Sequence, residues 1–431
     1  MSKLSALRGL ALSPSFFTRK RVRGHATLLA VILWSFYAVS LTHPGLRDWL
    51  GTVKGADFVH EYVLGKIALE RNGPLLYDYQ GQIQLSRRAI PGLGDESYLP
   101  IYAPQVSLIY LPFAVLPYLW AAALWALFSA IIYAACCYAV WRSAANLQGE
   151  GSTIVILALA LPAFFNLIAF GQNSAIALGA FVLTYFGWKS RKPFLAGMAL
   201  GLLFYKPQLG IAAAVLFPLT LEWRLILGGL VTTAIQLGIA WAYYGKHSLL
   251  DYFHALRNLG QNAGLLEPKL DQMYSLRSFW QMLLPWPGVA FALYLASAVL
   301  VLALLYKTWR SPEPLSLRYA AFLVATVLVD PHLTTYDLVV LAPAFLLIGD
   351  RILGNSAEAR LGRIMWLIYL SYALPLIGPA IRDLHVQAAV LVFFLLFLVL
   401  VPDSSRTMRL QSSGPDGGFD VPEKSKISGS Q

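Results

Sequence analysis

The chain has 431 residues, of which 58% are hydrophobic and only 13% charged, where a soluble domain carries roughly 25% charged residues. That composition excludes a water-soluble globular protein and predicts an all-α polytopic membrane protein. The formal net charge of +11 is expected to report loop orientation and not nucleic-acid binding, the usual meaning of a basic excess in a bilayer protein. The two cysteines, Cys136 and Cys137, are adjacent, cannot bridge without strain, and have no histidine at ligand spacing, so they read as core packing.

The first 24 positions hold Lys3, Arg8, Arg19, Lys20, Arg21 and Arg23 and no acidic residue, which by the positive-inside rule keeps this segment in the cytoplasm. The apolar stretch near residues 25 to 42 lacks a small-residue cleavage pattern and is expected to remain as the first membrane helix. Residues 44 to 103 are too polar to span lipid and form an extracytoplasmic loop. Within it Phe58, Tyr62, Ile67 and Leu69 alternate with charged residues, which suits a short amphipathic helix lying along the membrane face.

Apolar runs then recur at about 105–117, 119–141, 153–169, 174–188, 194–205, 208–221, 225–244, 287–306, 317–329, 337–349, 364–380 and 386–402. Several are shorter than the ~20 residues of a straight span, so some must be tilted, broken or re-entrant. The basic clusters at Lys189 to Lys192, Arg224, Lys307 with Arg310, Arg351 to Arg363, and Arg406 to Lys426 read as cytoplasmic. Parity then makes 105–117, with Pro104, Pro112 and Pro117, the non-spanning run. The expectation is about 12 spans across residues 25–402, both termini inside, and a second outer loop at 245–286. Residues 403–431, rich in Ser, Gly and charge, are expected to be a disordered cytoplasmic tail.

Under this topology Asp57, Lys66, Gln172, Asn173, Lys206, Gln208, Asp330, His332, Asp337 and Arg382 all fall on the extracytoplasmic side. Charged groups near lipid are costly, and they line a cavity or pair with one another. A polar pocket opening outward follows. Lys206, between two apolar runs, is either an anion site or an ammonium snorkelling to the headgroups. Gly171-Gln172-Asn173-Ser174 is either a tight turn or a pair of amides for sugar hydroxyls. Asp330 and His332, two residues apart, could hold a proton between them. Asp57, at the start of the short helix, is either its cap or a base. No nucleotide-binding fingerprint is present, and His60 and His254 lack partners at zinc-ligand spacing.

Several blocks occur in order: Asp57-Phe-Val-His-Glu-Tyr, Gly73-Pro-Leu-Leu-Tyr77-Asp78, Ile101-Tyr-Ala-Pro104 and Leu111-Pro-Phe-Ala-Val-Leu-Pro117. Gly171-Gln-Asn173, Ala196-Gly197 through Tyr205-Lys-Pro207, Tyr274-Ser275 and Pro331-His332 follow. Over about residues 50 to 350 this resembles the GT-C glycosyltransferases of family 87, polyprenyl-phosphate-mannose-dependent mannosyltransferases. One departure is Ala103-Pro104, where the family more often shows two prolines.

The resemblance implies a GT-C fold and transfer of a hexose, mannose by preference, from a polyprenyl-phosphate donor to a lipid or glycan hydroxyl with inversion. Asp57 would be the base with His332 assisting. Lys206, with Lys66 or Arg382, would neutralise donor phosphate. Gln172, Asn173, Gln208, Tyr77, Tyr274 and Asp330 would bind sugar or acceptor. No metal or cofactor is expected beyond the lipid-linked donor, which is a co-substrate. The partners are donor, acceptor and membrane lipid, with no nucleic acid, and the location is a cell membrane, a bacterial inner membrane in particular, with an extracytoplasmic site. Two other classes fit the composition. A transporter or flippase predicts midplane charges and related halves, and a polysaccharide polymerase or ligase predicts arginine-rich outer loops, whereas loop 245–286 has only Arg257 and Arg277.

Overall fold

The computed structural model describes residues 17–402 except 95, 97, 259–269, 355–359 and 379–383. The expectations for Lys3, Arg8, Arg382 and the 403–431 tail therefore fall outside the described residues. Among the described residues the chain is helical throughout, and its only β pairings are isolated bridges at Arg47–Val53 and Met273–Thr334.

Helix α1 (Arg19–Leu41) begins at Thr18, whose Oγ1 accepts from the Arg21 N–H at 3.3 Å. After it come α2 (Phe58–Leu69), α3 (Tyr79–Ala89), α4 (Val106–Ala114) and α5 (Tyr118–Ser143). A bent pair follows, α6 (Gly151–Ala160) and α7 (Pro162–Phe170), broken by 51° at Leu161–Pro162. Helices α8 (Ser174–Lys189), α9 (Pro193–Gly201), α10 (Ile211–Leu219), α11 (Trp223–Tyr244) and α12 (Lys246–Asn258) come next. The remainder are α13 (Leu276–Leu283), α14 (Pro287–Trp309), α15 (Leu315–Val329), α16 (Ala342–Gly354), α17 (Arg360–Ala373) and α18 (Ala388–Leu400).

Four of these, α1, α5, α11 and α14, are long and apolar enough to cross a membrane, or five if the α6–α7 pair is one span. Shorter apolar helices lie at Pro193–Tyr205, Pro207–Leu219, Leu315–Val329, Arg363–Ile377 and Ala388–Leu400. The long helices turn apolar side chains outward, as α1 does with Leu28, Val31, Ile32, Phe36 and Val39, which is tolerable only against lipid. Exposed Trp120, Trp223, Trp241 and Trp286 stand at helix ends, the placement that suits indole at a bilayer–water boundary. The protein is a membrane protein. At the centre α15 is buried on every side from Tyr319 to Val329, as expected of a helix that is apolar all round. Phe181, Phe217 and Trp309 close round its Phe322 with ring centroids 5.7 to 6.2 Å away.

The 105–117 run forms α4, nine residues with Pro112 inside, far short of a straight span. The short helix expected after Asp57 is present as α2, but it does not lie on a surface. Ten of its twelve residues, from Phe58 to Ala68, are buried, because α4 packs directly on it. Gly65 allows that approach, since a Cβ there would stand 2.7 Å from the Tyr110 carbonyl oxygen. The Tyr62 hydroxyl donates to the Leu116 carbonyl at 2.7 Å and fixes the pair. The expectation of an amphipathic helix lying along the membrane face is corrected accordingly: Glu61, one of the charged residues in that alternation, is buried against protein.

Candidate active site

Gly171 ends α7 in the left-handed region at φ 72°, a conformation that costs an L-residue roughly 1–2 kcal/mol. Substitution there would also bring a Cβ within 2.7 Å of the Phe58 Cβ. The turn therefore presses against the start of α2, and the Asp57 N–H donates to the Phe170 carbonyl at 3.0 Å. Two segments more than a hundred residues apart in sequence are joined backbone to backbone at the point where the polar side chains begin.

Three consecutive residues leaving that turn each hold one carboxylate. Gln172 Nε2 donates to Asp57 Oδ2 at 2.8 Å. Asn173 Nδ2 donates to Glu61 Oε1 at 3.2 Å and to the Tyr102 hydroxyl at 3.1 Å. Ser174 Oγ donates to Asp337 Oδ1 at 2.5 Å. Ser174 opens the sixteen-residue α8, so all three carboxylates gather near a helix N-terminus, where the backbone dipole favours negative charge. Trp125 Nε1 and the Tyr205 hydroxyl hold the Gln172 and Asn173 carbonyls at 3.2 and 3.0 Å. The turn reading of Gly171–Ser174 is met by the backbone, while the two amides are engaged with Asp57 and Glu61.

Lys206 is the cation of this cluster. It follows the 3₁₀ turn Leu202–Tyr205, and its Nζ meets Asp337 Oδ1 at 2.8 Å with both side chains more than nine-tenths buried. The same ammonium lies 3.4 Å from Ser174 Oγ and 5.2 Å from the Tyr336 ring centre. Asp337 Oδ2 in turn accepts from the Thr334 N–H at 3.3 Å, closing a capping box on the 3₁₀ segment Thr335–Leu341, and from Thr334 Oγ1 at 3.0 Å. Lys206 is thus not snorkelling to the headgroups.

Glu61 is a residue that the sequence reading passed over. It lies one turn after Asp57 on the same face of α2, is 1% exposed, and its Oε2 has no hydrogen-bond partner. Among the described residues it has no ion pair, the Lys206 ammonium being bonded to Asp337. Burial first, then the neighbouring charge of Asp57, holds its carboxyl well above the ordinary carboxylate range,; α2 lies outside the candidate spans. Next to it His60 stacks on Tyr98 at 5.4 Å, and burial brings its imidazole down to about 4. The spacing Asp57-x-x-x-Glu61 was the available signal, since positions four apart share a helix face.

The Glu61→Gln variant is expected to keep the Asn173 contact and the fold. The native carboxyl, with its raised pKa, contributes a stability that is fully present below the usual carboxylate range and is lost as pH rises through and above it. Glutamine does not titrate. The stability of the wild type relative to Glu61→Gln should therefore decline from about pH 4 toward pH 7. Thermal unfolding in detergent across that range measures it, and a flat difference would show that Glu61 ionises as freely in the folded protein as in the unfolded chain.

His332 stands on the loop that leads to Asp337. Its N–H donates to Asp330 Oδ1 at 2.7 Å, and Asp330 is fully buried while His332 is half-buried. That loop is pinned by the Met273–Thr334 bridge and by the Tyr274 N–H on the Leu333 carbonyl at 2.8 Å. Tyr274 itself is buried with its hydroxyl on the Pro375 carbonyl at 2.9 Å, so it braces the loop. Tyr77 does the same for Tyr102, donating to its carbonyl at 2.9 Å. Gln208 is half-buried just beyond Lys206. Lys66 lies more than two turns along α2 from Asp57, with its ammonium 5.2 Å from the Tyr62 ring centre, and is not brought to the carboxylates.

The sequence profile described as glycosyltransferase family 87 matches residues 101–331. The matched segment holds Tyr102, Gln172, Asn173, Ser174 and Lys206. No curated protein and no solved structure matched the chain. With more than half of its length under that profile, and with apolar helices long enough to cross a bilayer, the chain belongs to glycosyltransferase family 87 and is a membrane glycosyltransferase.

Proposed function

We propose that the protein moves a hexose, mannose by the family resemblance, from a polyprenyl-phosphate donor to a hydroxyl of a lipid or glycan acceptor, with inversion. The observation that carries this reading is the set of three carboxylates held side by side by Gln172, Asn173 and Ser174, with one buried lysine among them. Asp57 takes the proton from the acceptor hydroxyl as its oxygen bonds to the anomeric carbon. The bond from that carbon to the phosphate oxygen breaks, and the phosphate leaves with the electron pair. Proton removal in the transition state and a fixed cation beside the developing charge are the two contributions required.

The Lys206 ammonium has three N–H donors. Asp337 and Ser174 receive two of them, and the third serves a donor phosphate oxygen. This supplies the neutralising charge from the chain itself, so the proposal needs no metal. His332 assists by orienting the acceptor, and Gln208 and Asp330 lie on the segments that would contact sugar. The architecture belonging to this reading is a GT-C fold with about 12 crossings, several made of short or broken helices. Both termini are cytoplasmic and the carboxylate cluster is extracytoplasmic.

The test is transfer of radiolabelled mannose from polyprenyl-phosphate-mannose into lipid and glycan extracts by membranes containing the protein. Label in the extracts is the expected result. Absence of transfer with that donor, together with transfer from another polyprenyl-phosphate sugar, would correct the sugar, and absence with every such donor would overturn the donor class.

A further inference from the structure

A second feature, lined by none of the residues of the carboxylate cluster, is left unused by glycosyl transfer. Between α1, α6, α16 and α17 is a cavity of about 550 Å³, within the range of sites that hold small ligands. It runs from Ala160 and Ala342 at one end of these helices to Glu150 and Leu353 at the other. It is a slot more than a pocket. Along α1 it is lined from Arg19 to Ile32, a rise of roughly 20 Å.

Its walls are largely apolar, with Leu29, Ile154, Phe345, Leu346 and Ile368 among them, and its charged lining residues are Arg19 and Glu150. Arg19 Nη2 meets Glu150 Oε1 at 2.8 Å, the arginine largely exposed and the glutamate largely covered. Lys20, Arg21 and Arg23 are exposed beside it. Four basic residues and no acid within the first turns of α1 are adverse at a helix N-terminus, whose dipole is already positive. An anion at the mouth of the slot relieves that repulsion, and an apolar chain attached to it fits the walls. These two demands together define an anionic lipid.

We propose that the slot between α1, α6, α16 and α17 takes one acyl chain of an anionic phospholipid, with the lipid phosphate at the Arg19 end. Gly349 offers the means to test it. It lines the slot, and a Cβ there meets nothing nearer than Leu147 Cδ2 at 4.0 Å, so a large side chain enters the slot without meeting backbone.

Native mass spectrometry of the full-length protein in mild detergent, titrated with phosphatidylglycerol or with phosphatidylcholine, reads the binding directly. The wild type is expected to hold one phosphatidylglycerol in preference to phosphatidylcholine. Gly349→Trp should lose that adduct. Arg19→Ala with Arg21→Ala, which leaves the slot open, should lower the preference for phosphatidylglycerol by roughly fivefold per charge removed. Equal retention by the wild type and Gly349→Trp, or no preference between the two lipids, overturns the proposal. So does binding that appears only after residues 1–16 are removed, which would make the chain's own N-terminal segment the occupant. The readout is mass alone, so it stands or falls separately from the donor assignment.

Discussion

Asp57→Asn is expected to lower the transfer rate by about 10²- to 10⁴-fold, the usual contribution of a positioned base, with little change in stability. Asparagine keeps the shape of the carboxylate, and its carbonyl oxygen can still accept from Gln172 Nε2, which lies 2.8 Å from Asp57 Oδ2 in the native protein. What it removes is the ability to take a proton from the acceptor hydroxyl. The backbone tie from Asp57 N–H to the Phe170 carbonyl at 3.0 Å does not depend on the side chain, so the α2–α7 junction survives. The measurement is initial rate with a polyprenyl-phosphate sugar beside thermal unfolding of the same preparation. His332→Ala in the same assay should cost less. Wild-type rates from Asp57→Asn with none from His332→Ala would transfer the role of base to His332.

The largest effect on stability is expected at the Lys206–Asp337 pair. Removing one partner of a buried ion pair leaves an uncompensated charge and destabilises by roughly 3–5 kcal/mol. Both side chains here are more than nine-tenths buried and their atoms are 2.8 Å apart. Lys206→Ala should therefore unfold at markedly lower temperature than the wild type. Lys206→Met combined with Asp337→Leu removes both charges while keeping apolar volume, and such replacements of buried pairs are often near neutral. The double variant is expected to regain most of the lost stability and to remain inactive, because the cation assigned to the donor phosphate is gone. A double variant that folds and transfers sugar at the wild-type rate would show that the pair serves only to join the Lys206 turn and the 335–341 segment.

Local pattern was enough to place the apolar helices, to set Asp57 at the head of α2, and to mark Gly171–Ser174 as a turn. These follow from properties a short segment carries by itself: a run of apolar residues, a residue type at a helix start, a glycine where the chain must turn left. The partners of those residues were not legible. Glu61 read as one more charge alternating with apolar residues, because nothing within α2 announces that α4 will pack on it. Lys206 read as an open choice between headgroup and anion, because Asp337, the carboxylate that engages it, lies 131 residues away. A side chain's burial and ionic partner depend on which distant segment meets it and in what register, and tertiary packing alone decides that. The sequence by itself therefore determined the kind of molecule, its helices and, Glu61 apart, the polar residues that gather in the cluster. The tertiary structure decided that Gln172, Asn173 and Ser174 each hold a different carboxylate and that the one lysine among them is already paired.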